Sequence, residues 1–207
     1  MPDPHRNLFE GFTALLQSTA CPYARLATTR FVPVPYSPKS PDFLIMFRKR
    51  QPWLADPGTD ALIVAIHFSE LGKTIDDHAR LFRRLLNLVS DHEIAGNILT
   101  PGWQLQIHRT RVFATLFSPL YPARNPRSIQ KGTYGYVMLQ PEHSFHKLLP
   151  RNRLEEHQRV HIKHTIREAF DRSGKPYDAL DRQPPTEAQK YVKPLHLGDP
   201  MIEWWKY

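Results

Sequence analysis

The sequence predicts an α+β fold: a single domain in which a largely antiparallel sheet is layered with helices. Three observations carry that expectation. Short apolar runs bounded by Pro, Asp and Gly alternate with longer segments of helical period. Several gaps between the runs have hairpin length. No βαβ repeat and no phosphate-binding glycine loop is present. At 207 residues the chain fits one domain, 1–207, whose tail from about 195 to 207 is expected to dock on the body.

The elements follow in order. Asn7 to Gln17 places Leu8, Phe9, Phe12, Leu15 and Leu16 at helical spacing, and Ser18 to Pro22 stops that helix. Phe43 to Phe47 and Ala61 to Ile66 are short continuous apolar runs and read as buried strands. Thr74-Ile75-Asp76-Asp77 is close to a capping box, with Asp where Glu is usual, and opens a helix to about Ser90. Its stripe at about 100° per residue holds Ile75, Phe82, Leu85, Leu86 and Val89, with His78 inside it. Gly96 to Gly102 is a loop. Trp103 to His108 alternates with period two, so one face is buried. Val112 to Phe117 and Tyr134 to Leu139 are further strands. A last long helix runs from about Leu154 to Arg172 and ends at Gly174, with Ile162, Ile166 and Ala169 as its apolar stripe and Phe170 at the edge. Trp204, Trp205 and Tyr207 crowd the tail.

Composition bounds the function classes. Hydrophobic residues make up 41% and aromatics 11%, enough to bury a core and to exclude wholesale disorder. No apolar run of about 18 residues occurs, and Met1 to Gln17 lacks the pattern of a signal peptide. One cysteine, Cys21, excludes a disulfide framework and fits a reducing, cytoplasmic setting. The net charge of +8 points to anionic partners, yet the basic residues are scattered and form no nucleic-acid signature. Twenty prolines cluster at Pro33 to Pro41, Pro119 to Pro126, Pro141 to Pro150 and Pro176 to Pro194, which read as rigid connections.

Eleven histidines raise the question of a metal. His157, His161 and His164 lie one and two turns apart on the last helix, but opposite its apolar stripe, so they face solvent. His78 is the reverse case: on an apolar stripe its imidazole needs a partner, either a carbonyl in the core or an iron. His67, at a strand end, makes a weaker version of the same claim. His143 follows a strand in Gln140-Pro141-Glu142-His143-Ser144-Phe145. Tyr121-Pro122-Ala123-Arg124-Asn125-Pro126-Arg127 sets two arginines in a proline-stiffened loop, and guanidinium forks match carboxylate or phosphate oxygens. Hydrolase, P-loop, zincin and C-x-x-C signatures are missing.

Five segments, in order, resemble the YqcI/YcgG family, microbial proteins that include heme-dependent enzymes of guanidine nitrogen chemistry. Cys21-Pro22-Tyr23-Ala24 is similar to an early Phe-Pro-Cys segment. Asp77-His78-Ala79-Arg80-Leu81-Phe82-Arg83-Arg84-Leu85-Leu86, with Asp91 beyond, is similar to a family helix. Phe117 to Pro122 with Asn125-Pro126-Arg127 resembles an Ala-Pro-x-Tyr-Pro loop ending in arginine. Gln140 to Phe145 resembles Gln-Pro-Arg-x-x-Phe, with Glu142 where the family has Arg or His. Leu197-Gly198-Asp199-Pro200 and Glu203 to Tyr207 resemble the family's tail.

What the resemblance implies is a cytoplasmic heme b protein that N-hydroxylates or otherwise oxidises an amine or guanidine compound, in the manner of a monooxygenase with an electron donor. His78, His143 and Cys21 are then the candidate axial ligands, a thiolate favouring O–O cleavage. Arg124, Arg127 and Tyr121 are candidate anchors for the propionates or another anion. Glu142 is the candidate carboxylate for the substrate nitrogen. The alternative class is a non-catalytic basic domain that binds nucleic acid or an acidic partner.

Overall fold

The computed structural model describes residues 8, 10–22, 24, 27, 29–31, 36–37, 40–94, 98–100, 102–130, 132–147, 156–176 and 186–207. Five strands form one sheet in the order β1-β2-β5-β4-β3: β1 (Thr29–Phe31), β2 (Ala61–His67), β3 (Leu105–Ile107), β4 (Thr110–Phe117) and β5 (Tyr134–Pro141). β2, β5, β4 and β3 are antiparallel to their neighbours, and β1 lies parallel to β2 at the edge. The expected α+β class and largely antiparallel sheet are therefore present.

β2 shows why the sheet is layered. Leu62, Val64 and Ile66 face one core, with Phe82, Leu85 and Leu86 of α4 (Ile75–Val89). Ala61, Ile63 and Ala65 face the other, with Phe12 and Leu15 of α1 (Glu10–Ser18). A strand covered on both faces needs no polar alternation, so its sequence is a continuous apolar run. Asn7 and Phe9, the expected start of α1, lie outside the described residues, as does Leu154 of the last helix.

Phe43 to Phe47 is not a strand. It lies in α2 (Asp42–Arg50), where Phe43 and Phe47 are buried one turn apart and Ile45 is 56% exposed. Asp42 in the first turn and Arg48, Lys49 and Arg50 in the last complement the helix dipole, a signal that the apolar run hides. With the 3₁₀ turn Gln51–Ala55, α2 carries the chain from β1 to the parallel β2, so the fold holds one crossover unit.

The helix that follows matches its expected start. Thr74 accepts from the Asp77 amide, and the Asp77 carboxylate accepts from the Thr74 amide at 3.1 Å. The Thr74 hydroxyl also donates to that carboxylate and, as the leading cause, holds it below the usual carboxylate range. Before it, α3 (Phe68–Leu71) is capped by His67, whose Nδ1 accepts from the Ser69 amide. Between the two helices Gly72 has φ of +83°, and a Cβ there would run into Asp77.

After β5 come α5 (Glu142–Lys147) and α6 (Glu156–Arg172). α6 ends in paired bonds from Gly174 to Asp171 and from Lys175 to Phe170, with Gly174 left-handed as the sequence predicts. Phe170 is buried, Ile166 and Ala169 are half-buried, and the side chain of Ile162 lies outside the described residues.

The C-terminal stretch completes the larger core. Trp204 is fully buried, stacks on Tyr191 at 5.8 Å, meets the edge of Phe82 and donates to the Ala188 carbonyl. The Leu116 amide donates to the Tyr191 carbonyl, so residues around Tyr191 cover the edge of β4 that β3 leaves open. Among the described residues, no helix is long and apolar enough to cross a membrane.

Candidate functional site

β4 and β5 form a hairpin, and its two ends separate the residues singled out by sequence. Phe117 pairs with Tyr136 at one end and Val112 with Pro141 at the other, roughly 17 Å away along the strand. The arginine loop leaves the first end. Glu142 and His143 leave the second. The expected constellation of arginine anchors and substrate carboxylate therefore does not assemble in one place.

His78 sits at the arginine-loop end and is fully buried. Its Nδ1 lies 2.8 Å from the Thr74 carbonyl and its Nε2 2.7 Å from Ser118 Oγ. A carbonyl only accepts, so Nδ1 carries the proton and Nε2 accepts from the Ser118 hydroxyl. That hydroxyl also accepts from the Leu120 amide at 3.0 Å. Burial holds the imidazole pKa below its ordinary 6.5, against the Thr74 bond and the Asp77 charge, which raise it. Neither nitrogen is left for iron, and His78 is corrected from candidate ligand to core histidine.

The loop itself is a clamp. Tyr121 is buried, and its hydroxyl donates to the Lys193 carbonyl while accepting from the Lys193 amide. Burial pushes this phenol up to about 12, so it stays protonated. Asn125 donates to the Pro194 carbonyl. Arg127, 8% exposed, donates to the Tyr191 carbonyl at 2.6 Å and to that of Lys190. Tyr121 and Arg127 thus hold the polypeptide, and Arg127 also lines the cleft beside the loop. Arg124 is the exposed arginine of the pair. Loop and clamped segment are the two walls of a cleft of about 340 Å³, with Arg124, Lys193 and His196 among its lining.

At the other end, Glu142 pairs with Arg111 at 3.6 Å. His143 is half-buried and donates from Nε2 to the Thr59 carbonyl at 3.0 Å. Cys21 is a half-buried free thiol in the turn after α1. As a heme ligand His78 does not fit, because both its nitrogens are engaged in the core; Cys21 and His143 line neither of the two clefts among the described residues. His67 caps α3, and the side chain of His146 lies outside the described residues. His161 and His164 are exposed, as their helix face predicts, and the side chain of His157 lies outside the described residues. Among the described residues, no three His, Cys, Asp or Glu side chains group as a metal site.

A second cleft, of about 470 Å³, opens near Glu142. Trp103, Phe113 and Phe145 give it aromatic walls, and Thr186, Glu187 and Lys190 give it polar groups. Phe145 meets Phe113 edge-on at 6.2 Å. Thr186 is 9% exposed, and its Oγ1 is buried without a hydrogen-bond partner. Burial raises the Glu187 carboxyl above its usual range; the charge of Glu142 adds to the rise, and Lys190 and a bond from Gln104 oppose it. Such a cleft can hold a nitrogen cation against carboxylate and ring faces.

Sequence reading missed Glu187, Lys190, Lys193 and His196. They lie on or beside a single 3₁₀ turn, Ala188–Lys190, too short to show a period that assigns a face. The one available signal was the dipeptide Pro184-Pro185 just ahead of Thr186-Glu187, which marks a stiff entry to a polar pair. No family model, curated protein or solved structure matches the chain.

Proposed function

We propose that the chain binds a small amine or guanidinium compound in the aromatic cleft around Glu187, as an enzyme acting on that nitrogen. The observation that carries this reading is one cleft lined by Thr186, whose Oγ1 has no partner, by Glu187, whose carboxyl is raised, and by the rings of Trp103, Phe113 and Phe145. A buried polar atom without a partner costs roughly 1–3 kcal/mol, a cost relieved when the Thr186 side chain turns its hydroxyl to a ligand N–H. Lys190 in the same cleft suits a carboxylate on the compound, which makes an amino acid of arginine type a natural probe. Glu142, the expected substrate carboxylate, acts at one remove: its charge reaches Glu187.

The family resemblance supports the nitrogen substrate and implies heme as the redox partner. Heme would supply oxidising chemistry once bound, but His78 does not fit as its ligand and Cys21 and His143 line neither cleft, so no step is derived through it. The chain's own contribution is to orient the nitrogen on Glu187 and to exclude water with the rings. The alternative of a basic binding module draws on the net charge of +8 alone.

Titration calorimetry with arginine and agmatine tests the reading. Saturable binding is expected, weakened about tenfold or more by Glu187→Gln. Because the Glu187 carboxyl is raised, binding should be full at neutral pH and should weaken on acidification already at a pH above that at which an ordinary carboxylate takes up its proton. Equal binding by wild type and variant, or none by either, refutes it. A parallel hemin titration addresses the cofactor: a Soret band abolished by Cys21→Ala or His143→Ala would reinstate those ligands.

A further inference from the structure

The cleft at the arginine loop is built differently. Three loop side chains, Tyr121, Asn125 and Arg127, grip the backbone of residues 190–194, so the two walls are held apart at a set distance without any ligand. Its floor is apolar, from prolines such as Pro122, Pro126 and Pro194 and from Leu195. Leu197 at the lining is 60% exposed, an apolar side chain left in water. Arg124, Lys193 and His196 share this lining, and among the described residues no Asp or Glu does. Asp199, two residues beyond Leu197, accepts from the His196 amide, 2.9 Å away. Arg124 is the charged residue of the loop whose side chain takes no part in the clamp.

We propose that this cleft binds a small molecule with an apolar body and an anionic head, a carboxylate or a phosphate. The preformed apolar walls take the body, with little ordering cost because the clamp already fixes them. The head meets the Arg124 guanidinium, whose fork matches two oxygens, with Lys193 and His196 beside it. The site shares no lining residue with the cleft around Glu187 and does not rest on the function proposed there.

The test uses 8-anilinonaphthalene-1-sulfonate, which joins an aromatic body to one anion and fluoresces when its body leaves water. The full chain should bind it saturably, and Arg124→Glu should weaken binding about tenfold or more. Lys49→Glu, an equal charge change on exposed α2, should leave it unchanged, and so should Glu187→Gln. Arg124 and Lys49 are exposed, so both replacements leave the core intact, and near-UV circular dichroism verifies that. The uncharged analogue N-phenyl-1-naphthylamine should bind at least about tenfold more weakly. Competition by octanoate or by 1-naphthyl phosphate then tells which head is preferred, and either supports the proposal. Absence of saturable binding, indifference to Arg124→Glu, equal binding of the uncharged analogue, or failure of both competitors overturns it.

Discussion

Ser118→Ala removes one oxygen from the core, and its cost is set by what that oxygen holds. Nε2 of His78, in a fully buried ring, loses its donor, a loss of about 1–3 kcal/mol. The Leu120 amide loses its acceptor, roughly another 0.5–1.5 kcal/mol. A total near 2–4 kcal/mol corresponds to a fall in Tm of about 4–16 °C for a domain of this size. Thermal unfolding followed by far-UV circular dichroism measures it. The same pair sets a pH response. The folded imidazole has a depressed pKa, so on acidification the unfolded chain takes up its proton first. This part of the stability is complete above pH 6.5 and is lost as the pH falls below it, by at most about 1.4 kcal/mol per pH unit. Urea unfolding across that range should show the slope in wild type, and His78→Gln, which does not titrate there, should flatten it. A Ser118→Ala protein melting within about 2 °C of wild type would refute the pairing of Nε2 with the hydroxyl.

Two further outcomes follow from the clamp and the tail. Arg127→Met should lower stability by about 2–5 kcal/mol, because a buried charge-assisted pair of bonds to the Tyr191 and Lys190 carbonyls is lost, and urea unfolding reads this directly. If Arg127 instead held an anion, the replacement would leave stability near that of wild type. Trp204→Ala should cost about 3–5 kcal/mol, through lost packing on Tyr191 and Phe82 and an unpaired Ala188 carbonyl. A loss below about 1 kcal/mol would mean that the tail rests on the body without being part of its core.

Much of the fold is legible from local pattern. The capping box at Thr74, the stripe of α4, the buried run of β2 and the left-handed stop at Gly174 each depend on residues within one or two turns of one another. Local sequence therefore determines them, including the placement of His78 in the core and of His161 and His164 in solvent. Phe43 to Phe47 marks the limit. A five-residue apolar run has no length to reveal its period, and the charges flanking it decide for a helix.

The sites depend on distant parts of the chain. Whether Arg127 meets an anion or a carbonyl is decided by residues 190–191, more than sixty positions away. The hairpin register places Glu142 and Arg124 at opposite ends of two strands, although little more than a loop and a strand separate them in sequence. Glu187 comes to line an aromatic cleft only because Trp103, Phe113 and Phe145 reach the same place from other segments. Sequence alone determined which side chains carry chemistry and which local elements bear them. Tertiary structure alone decided which of those side chains meet, because burial and pairing are properties of contacts between segments, and no local period encodes them.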